Sequence, residues 1–281
     1  MIKLGEFQKL RVVRLSDLGY MLSDGEDEVL LHFKQAVKEY KPNDMVNVFI
    51  YNDGQGRKTA TESAPIITFE NPGFVKVTDV LPGAGIFVNI NTPKDVLISK
   101  DYLPYDETLW PIKGDEVLAI LKLKKNILAA KPIGRYDIIA LKRDVNYIEG
   151  EDVTAVVVRV GEKGLSLATH DPMYIFVPHN QLRGKHRLGE EVKVTITKKL
   201  EHEYYGRLNA QKEEMIEPDK KIILDYLDKH HGVMKITAKT EATTIEAEFG
   251  LSRKAFKRAY GGLYKNRIID FDEEKTFVVK K

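Results

Sequence analysis

Short runs of alternating apolar and polar residues fill the first three quarters of the chain, and this period of two predicts half-buried β-strands. The runs recur in the same order three times. Each copy has a β-branched run, a glycine followed by alternating apolar residues, a third apolar run, a polar turn before a valine, and a short closing strand. The polar turn recurs at Asn43, Gly114 and Gly189, with spacings of 71 and 75 residues. Near-equal spacings indicate tandem modules.

Five short strands in each copy are typical of a small Greek-key barrel of the oligonucleotide- and oligosaccharide-binding (OB) type. The segment between Pro132 and Gly150 has no counterpart in the other copies, so we interpret it as a connection. The predicted domains are barrel 1 at 1–64, barrel 2 with the connecting segment at 65–146, and barrel 3 at 147–214.

The pattern changes after Pro218, where apolar residues begin to recur with the helical period of 3.6. A first helix is expected to start at Asp219 as N-cap, and a second at Thr240, ending at Gly250 in the left-handed conformation. Ser252 is the expected cap of a third helix, and two strands at 267–271 and 276–279 form a predicted hairpin. Residues 215–281 therefore read as a winged-helix domain. The fold class is multidomain and mainly β, with three tandem five-stranded barrels followed by an α+β winged helix.

The composition removes several classes of function. The 281 residues include no cysteine, which excludes disulfides, thiolate nucleophiles and cysteine-held metals, and which fits a reducing cytoplasm. The N-terminal residues lack an apolar signal region, and no apolar stretch approaches the roughly 18 residues that span a bilayer. We therefore expect a cytoplasmic protein with no membrane contact, no metal and no cofactor.

Charge limits the kind of nucleic-acid site. The net charge is only +2, from 44 basic and 42 acidic residues, so any such site must be local. Residues 252–267 hold six basic residues and no acid. The third predicted helix buries a stripe of apolar residues there, and its remaining face points basic side chains outward to meet phosphates; these are Arg253, Lys254, Lys257 and Arg258. The alternative is a solvated helix face.

The predicted wing argues against duplex DNA as the partner. It carries four acids, Asp270, Asp272, Glu273 and Glu274, which would repel a DNA backbone. RNA or a protein partner fits this surface better.

The three repeats resemble the RNA-binding repeat named after ribosomal protein S1. The resemblance rests on segments such as Gly85-Ile-Phe-Val88, Glu28-Val-Leu-Leu-His32 and Gly114-Asp-Glu-Val117, and it covers about residues 1–212. It implies a stacking platform made by an aromatic on the second strand and a histidine on the third, with a basic residue for phosphate. Stacking suits single strands because every base has a π-face.

No copy keeps the whole platform. Other residue types stand at platform positions, namely Met21 in the first copy, Ser99 in the second, and Ser166 and Pro178 in the third. The residues that the resemblance assigns to RNA contact, directly or as close neighbours, are Tyr20, His32, Arg57 and Lys58 in the first copy, Phe87 and Lys131 in the second, and Tyr174, Phe176, His179 and Arg207 in the third. The alternative is that the two phenylalanines belong to barrel cores, since adjacent strand positions face opposite sides, and that the histidines are ordinary surface residues.

The whole order of modules resembles the bacterial conserved virulence factor B family. The match is most specific in the segments 249–259 and 261–267, around Phe-Gly-Leu-Ser-Arg and Gly-Gly-Leu-Tyr-Lys. The resemblance implies a cytoplasmic RNA-binding protein, with single-stranded RNA as partner and a post-transcriptional or ribosome-linked regulatory role.

Two other functions are alternatives to RNA binding. An enzyme, or a ribonuclease accessory, is disfavoured because the sequence holds no phosphate-binding loop, no zinc-protease helix and no nucleophile elbow. Acidic pairs such as Asp101 and Asp106, or Glu213 and Glu214, are common on solvated surfaces. A scaffold that docks on the ribosome or on RNA polymerase is the alternative to RNA binding.

Overall fold

A computed structural model describes residues 1–141, 143–182, 185–208, 216–272 and 274–279, with the backbone alone at 216 and 217. The chain divides into two compact units, Met1–Leu208 and Asn209–Lys281. In the part of the chain that is described, no helix is both long and apolar enough to cross a bilayer.

The first unit begins with a closed five-stranded barrel. Its strands are β1 (Phe7–Leu15), β2 (Gly19–Ser23), β3 (Glu28–His32), β4 (Met45–Asn52) and β5 (Lys58–Thr61). They pair in the order β1-β2-β3-β5-β4, and β1 closes the barrel against β4. All pairs are antiparallel except β3 with β5. Alternate residues such as Leu10, Val12 and Leu22 fill the interior because successive side chains face opposite sides of a strand.

The same strand order recurs twice more. The second barrel contains β6 (Gly73–Leu81), β7 (Gly85–Asn89), β8 (Val96–Ser99), β9 (Glu116–Lys124) and β10 (Ile127–Pro132). The third contains β11 (Asp152–Gly161), β12 (Gly164–Ala168), β13 (Tyr174–Pro178), β14 (Glu191–Lys199) and β15 (Tyr204–Arg207). The prediction of three tandem five-stranded barrels is confirmed.

The first strand of every barrel breaks its alternation at one place. The register shifts lie between Val12 and Arg14, between Val77 and Asp79, and between Val157 and Arg159. A bulge adds one residue to the strand, so the residues beyond it change the face to which they point.

The connection between the second and third barrels contains a short helix, α1 (Arg135–Ala140). Its Ile138 joins a buried apolar cluster with Leu118 of the second barrel and Val158 and Tyr174 of the third. The guanidinium of Arg135 donates to both carboxylate oxygens of Glu203 at 2.7 Å. Part of the outer face of the third barrel is therefore covered.

The second unit is a winged helix. Its elements are α2 (Ile216–Lys229), β16 (Val233–Met234), α3 (Ala242–Phe249), α4 (Arg253–Lys265), β17 (Ile269–Phe271) and β18 (Thr276–Val278). The sheet has the order β16-β18-β17. Phe256, Tyr260 and Leu263 of α4 form the buried stripe that the sequence predicts. The winged-helix prediction is confirmed.

Two of the predicted helix starts were wrong. Asp219 is not the N-cap of α2, because the helix already begins at Ile216. Asp219 lies inside the helix and is buried. Glu241 is the N-cap of α3, since the hydroxyl of Thr240 accepts a hydrogen bond from the amide of Thr237 and closes the preceding turn. Ser252 caps α4 as expected, with its hydroxyl accepting from the amide of Ala255 at 3.2 Å.

Gly250 ends α3 at φ 64°, in the left-handed region that was expected. Strand β16 was not predicted, because two residues are too short to show a period. The boundaries at 64, 146 and 214 stay predictions, and the last of them, like the pair Glu213 and Glu214, lies outside the described residues.

Candidate nucleic-acid interface

An outward-facing row of side chains crosses the third barrel. Arg159 on β11 lies opposite Ser166, which lies opposite Phe176 on β13. Phe176 in turn pairs with Tyr205 on β15, and Tyr205 lies opposite Lys198 on β14. We call Arg159, Ser166, Phe176, Tyr205 and Lys198 the third-barrel row. Two aromatic rings therefore stand side by side with a basic residue at each end.

The geometry of this row suits contact with a base. The rings of Phe176 and Tyr205 meet edge to face, with centroids 5.6 Å apart and an angle of 80° between their planes. Both side chains are only half buried, whereas Ile175 and Val177 on either side of Phe176 are fully buried. Phe176 thus faces outward, so the alternative that places it in the barrel core does not hold, and its RNA contact stays a prediction.

An open cleft of about 570 Å³ lies beside Phe176. Its lining includes Arg159, Lys163, Ser166 and Tyr174. Two basic residues and one acid, Glu162, of the β11–β12 hairpin thus line a space beside an aromatic ring that a nucleotide could enter.

Tyr174 does not offer a stacking face, and its prediction as an RNA contact is wrong. The side chain is 4% exposed, and its hydroxyl lies 2.9 Å from the hydroxyl of Ser166. Burial raises the pKa of the Tyr174 phenol. The physical reason is the cluster around Ile138 of α1, which covers this side of β13.

His179 and Arg207 lie beyond the third-barrel row. His179 begins the 3₁₀ turn that follows β13, and its side chain is exposed. Arg207 ends β15 opposite Thr195, with a half-buried side chain. Their contact with RNA stays a prediction.

The second barrel brings its two predicted residues to one face. Phe87 on β7 is half buried and lies opposite Leu97 on β8, which pairs with Ala129 on β10. Lys131 follows Ala129 by two residues, so it shares that outer face, and it is exposed. Ser99, at the position where the S1 resemblance expects histidine, donates its hydroxyl to Asp101 at 2.8 Å.

In the first barrel the prediction that Tyr20 contacts RNA was wrong. Tyr20 is 4% exposed, its oxygen accepts from the amide of Tyr40, and the rings of Phe33 and Tyr40 meet its ring edge to face. Tyr20 lies opposite Leu31, another inward residue, so the strand parity places Met21 outside instead.

The other three residues of the first barrel make local contacts. His32 is half buried at the end of β3, where its Nδ1 accepts from the amide of Lys34. Arg57 pairs with Asp53 at 2.7 Å in the turn before β5. Lys58 donates its Nζ to the carbonyl of Ile2 at 2.5 Å. These contacts serve the fold and do not assemble a platform.

Three of the four predicted basic residues of α4 are exposed. They are Arg253, Lys254 and Lys257. Arg258 does not project outward as predicted, because its guanidinium faces the buried carboxylate of Asp219 at 3.9 Å. The sequence places Arg258 next to the exposed face, but α2 packs there.

The wing is acidic where it is described. Asp270, Asp272 and Glu274 are exposed, and Glu273 lies outside the described residues. Asp272 accepts from the amides of Glu274 and Lys275, and these hydrogen bonds lower the pKa of its carboxyl. The negative charge of the wing is therefore retained.

The sequence did not single out Arg159, Lys198 or Tyr205 as site residues. Arg159 follows the β11 bulge, where the alternation of inward and outward residues breaks. Lys198 and Tyr205 join the third-barrel row through strand register, which a linear pattern does not reveal. A signal was present in the pair Tyr204 and Tyr205, of which the first is buried and the second is half exposed.

Known proteins share both the modules and their order. Residues 4–63 match the family described as S1 domain, residues 73–128 the CvfB first S1-like domain, and residues 221–277 the CvfB-like winged helix domain. Protein YitL of Bacillus subtilis is 32% identical over 268 residues, which cover 93% of this chain and 89% of the relative. Conserved virulence factor B of Staphylococcus epidermidis is 29% identical over 289 residues, 99% of this chain and 95% of the relative.

A solved structure extends the similarity to the full fold. The crystal structure of a multidomain protein with nucleic acid binding domains from Streptococcus pneumoniae covers 98% of both chains, with 26% identity and a TM-score of 0.66. Fold and surface thus define a chain of S1-like barrels that ends in a winged helix. The chain belongs to the conserved virulence factor B family.

Proposed function

We propose that the protein binds single-stranded RNA through the outer faces of its barrels. The observation that carries this proposal is the third-barrel row, where Phe176 and Tyr205 stand between Arg159 and Lys198. Aromatic rings bind bases without regard to sequence, and flanking basic groups bind the phosphates. The combination is the one that a single strand requires.

Duplex DNA is the less suitable ligand. In a duplex the bases are stacked and paired, so rings on a barrel face cannot reach their π-faces. The exposed acids Asp270 and Asp272 on the wing would also repel a duplex backbone. Arg253, Lys254 and Lys257 are exposed on α4 and can still contact RNA phosphates.

The proposed role is regulatory, in the cytoplasm, through post-transcriptional or ribosome-linked control. Its support is membership of the conserved virulence factor B family, together with the similarity to a protein described as having nucleic acid binding domains. The proposal includes no cofactor and no catalysis. Incubating labelled RNA with the protein and Mg²⁺ or Mn²⁺ tests the last point, since any cleavage would make the chain an enzyme.

The test of binding is a filter-binding series with homopolymer RNA, single-stranded DNA and duplex DNA at two salt concentrations. We expect RNA to bind more tightly than duplex DNA, with an affinity that falls as salt rises. Equal or tighter binding of random duplex DNA would contradict the proposal.

A protein partner is the second candidate, and one surface favours it. At one end of the first barrel four apolar side chains are exposed, namely Leu15 at 54%, Leu18 at 58%, Phe33 at 42% and Val37 at 77%. The β1–β2 turn and the segment after β3 lie at the same end because Gly19 pairs with His32, and large exposed apolar patches are typical of protein docking sites. If a ribosomal or polymerase partner docks there, its capture by the protein survives nuclease treatment and is lost in Leu18→Ser.

A further inference from the structure

Each barrel has a 3₁₀ turn directly after its third strand, and the last residue of that turn differs in the second barrel. The turns are Phe33–Gln35, Lys100–Tyr102 and His179–Gln181. The first and third barrels thus end the turn with glutamine, and the second with tyrosine.

The two glutamines tie the turn to the closing strand. The side-chain oxygen of Gln35 accepts from the hydroxyl of Thr61, and its carbonyl accepts from the amide of Glu62. The carbonyl of Gln181 accepts from the amide of Leu208. Tyr102 instead places its ring beside Lys122 of β9, with the Nζ 4.7 Å from the ring centroid, and Lys122 also donates to the phenol oxygen.

Tyr102 therefore has a fixed orientation and an accessible surface. The residue is 41% exposed. Lys122 lies opposite Ala129, which is next to Leu97 and Phe87 in the outward row of this barrel. Ala129 has only a methyl side chain, so the outer surface is recessed between Leu97 and Lys122. The rings of Phe87 and Tyr102 lie on either side of this recess.

Basic residues surround the ring. Lys131 is exposed on the same face, and among the described residues it forms no ion pair. Lys124 pairs with Asp101 at 3.6 Å, and both side chains remain more than half exposed. Nearby lysines, Lys122 above all, lower the pKa of the Tyr102 phenol. The local field is thus positive although the chain as a whole is nearly neutral.

We propose that Tyr102 stacks on an unpaired RNA base and that Lys124 and Lys131 contact the phosphates beside it. The inference rests on the proposed function and assigns it a site in the second barrel. Ser99 already donates its hydroxyl proton to Asp101, and it has no ring on which a base could stack. Tyr102 supplies a ring three residues later, on the side of the face that holds the lysines.

The decisive variant is Tyr102→Gln, because the other two barrels hold glutamine at this position without loss of the fold. We expect it to weaken oligouridine RNA binding by about 5- to 100-fold, as the loss of one stacked base predicts, with an unchanged melting temperature. Tyr102→Phe keeps the ring and should retain binding. Lys131→Ala should lower the slope of log affinity against log salt by about 0.7.

Photocrosslinking locates the contact in the unaltered protein. Oligouridine that carries 4-thiouridine is irradiated on the full chain, which is then digested with trypsin, and the labelled fragment is identified by mass spectrometry. We expect the label on Tyr102 within the fragment 101–113. Tyr105→Phe is the matched control, because Tyr105 lies in the same fragment and is fully exposed. This variant should leave the label in place.

The outcomes separate the two proposals. If the unaltered protein binds no RNA, the proposed function is wrong. If it binds RNA while Tyr102→Gln keeps full affinity and the fragment stays unlabelled, the assignment of Tyr102 is wrong and RNA binding stands. A third outcome is that a polyglutamate peptide competes with RNA and that this competition is lost in Tyr102→Gln, while the variant keeps its full affinity for RNA. This face would then be a site for an acidic protein segment, and the assignment of Tyr102 would be wrong.

Discussion

Arg258 on α4 faces Asp219 on α2, with the guanidinium nitrogen 3.9 Å from the carboxylate oxygen. The Asp219 side chain is only 9% exposed, and the Nε of Arg258 is buried without a hydrogen-bond partner in the described structure. The Arg258 side chain as a whole is 37% exposed, so the pair joins a partly exposed guanidinium on α4 to a buried carboxylate on α2. Arg258 is a structural residue, and it differs in this respect from the exposed bases of the same helix.

Replacing Arg258 should destabilise the winged helix. In Arg258→Ala the buried carboxylate of Asp219 loses its counter-charge, which we expect to lower the free energy of unfolding by about 1–3 kcal/mol. Urea denaturation of the second unit, monitored by circular dichroism, measures the change in the free energy of unfolding. Lys254→Ala is the control and should shift stability by less than about 0.5 kcal/mol. Equal stability of the two variants would show that the Arg258–Asp219 pair contributes nothing.

The exposed bases of α4 should affect binding instead of stability. If Lys254 and Lys257 each neutralise one RNA phosphate, Lys254→Ala with Lys257→Ala should lower the slope of log affinity against log salt by about 1.4 on a single strand. Filter binding at several salt concentrations measures the slope. An unchanged slope and affinity would remove the winged helix from the RNA interface and leave this face solvated or bound to protein.

A repeated glycine keeps the second and third strands of each barrel close together. A Cβ on Gly19, Gly85 or Gly164 would lie 2.1 Å from a carbonyl oxygen of the paired strand, namely that of Leu31, Ile98 or Val177. Gly85 and Gly164 also have φ of 144° and 146°, which other residues rarely adopt.

Alanine at Gly164 should therefore force the strands of the third barrel apart. We expect Gly164→Ala to lower stability by at least about 1–3 kcal/mol, through backbone strain alone. Thermal unfolding measures the loss. Gly54→Ala is the matched control, because a Cβ there would meet nothing within 4 Å. A melting temperature of Gly164→Ala equal to that of the control would contradict the close approach.

The sequence predicted the modules better than the surface that they present. Recurring glycines and turns define each barrel because backbone geometry requires them, and local capping ends α3 at Gly250 and begins α4 at Ser252. The outward residues depend on register and bulges. Tyr20 and Tyr174 are aromatic residues at plausible positions, yet strand parity buries the first and α1 covers the second. Strand register alone places Lys198 beside Tyr205, and it places Arg159 one strand away from Phe176, with Ser166 between them.

Alkaline pH should destabilise the first barrel through Tyr40. Burial, and then the hydrogen bond to Glu62, raise the pKa of the Tyr40 phenol well above its ordinary value of 10.0. A raised pKa means that the folded state holds the proton more tightly than the unfolded state. The resulting stabilisation is complete below pH 10 and is lost progressively as the pH rises above that value.

Tyr40→Phe should therefore flatten the decline of melting temperature as the pH rises from about 10 to about 12, because the loss begins at the ordinary tyrosine pKa. The phenol donates to Glu62 at 2.6 Å, and Glu62 keeps a second hydrogen bond from the amide of Val37 after the change. Thermal melts at intervals across this range make the comparison. A decline as steep in the variant as in the unaltered protein would assign the alkaline sensitivity to other groups.

The third-barrel row provides the most direct test of the binding mode, since stacking and charge can be removed separately. Tyr205→Ala removes a ring that is only half buried, and we expect it to reduce the free energy of RNA binding by about 1–3 kcal/mol at every salt concentration. Lys198→Ala removes a charge from the neighbouring position, and it should lower the salt slope by about 0.7 while its effect vanishes at high salt. Tyr136→Ala on α1 is the control, because its ring is 81% exposed and lies outside the row. Filter binding with oligouridine at four salt concentrations distinguishes the cases. If Tyr136→Ala weakens binding as much as Tyr205→Ala does, RNA adheres to exposed rings in general and the row is not a specific interface.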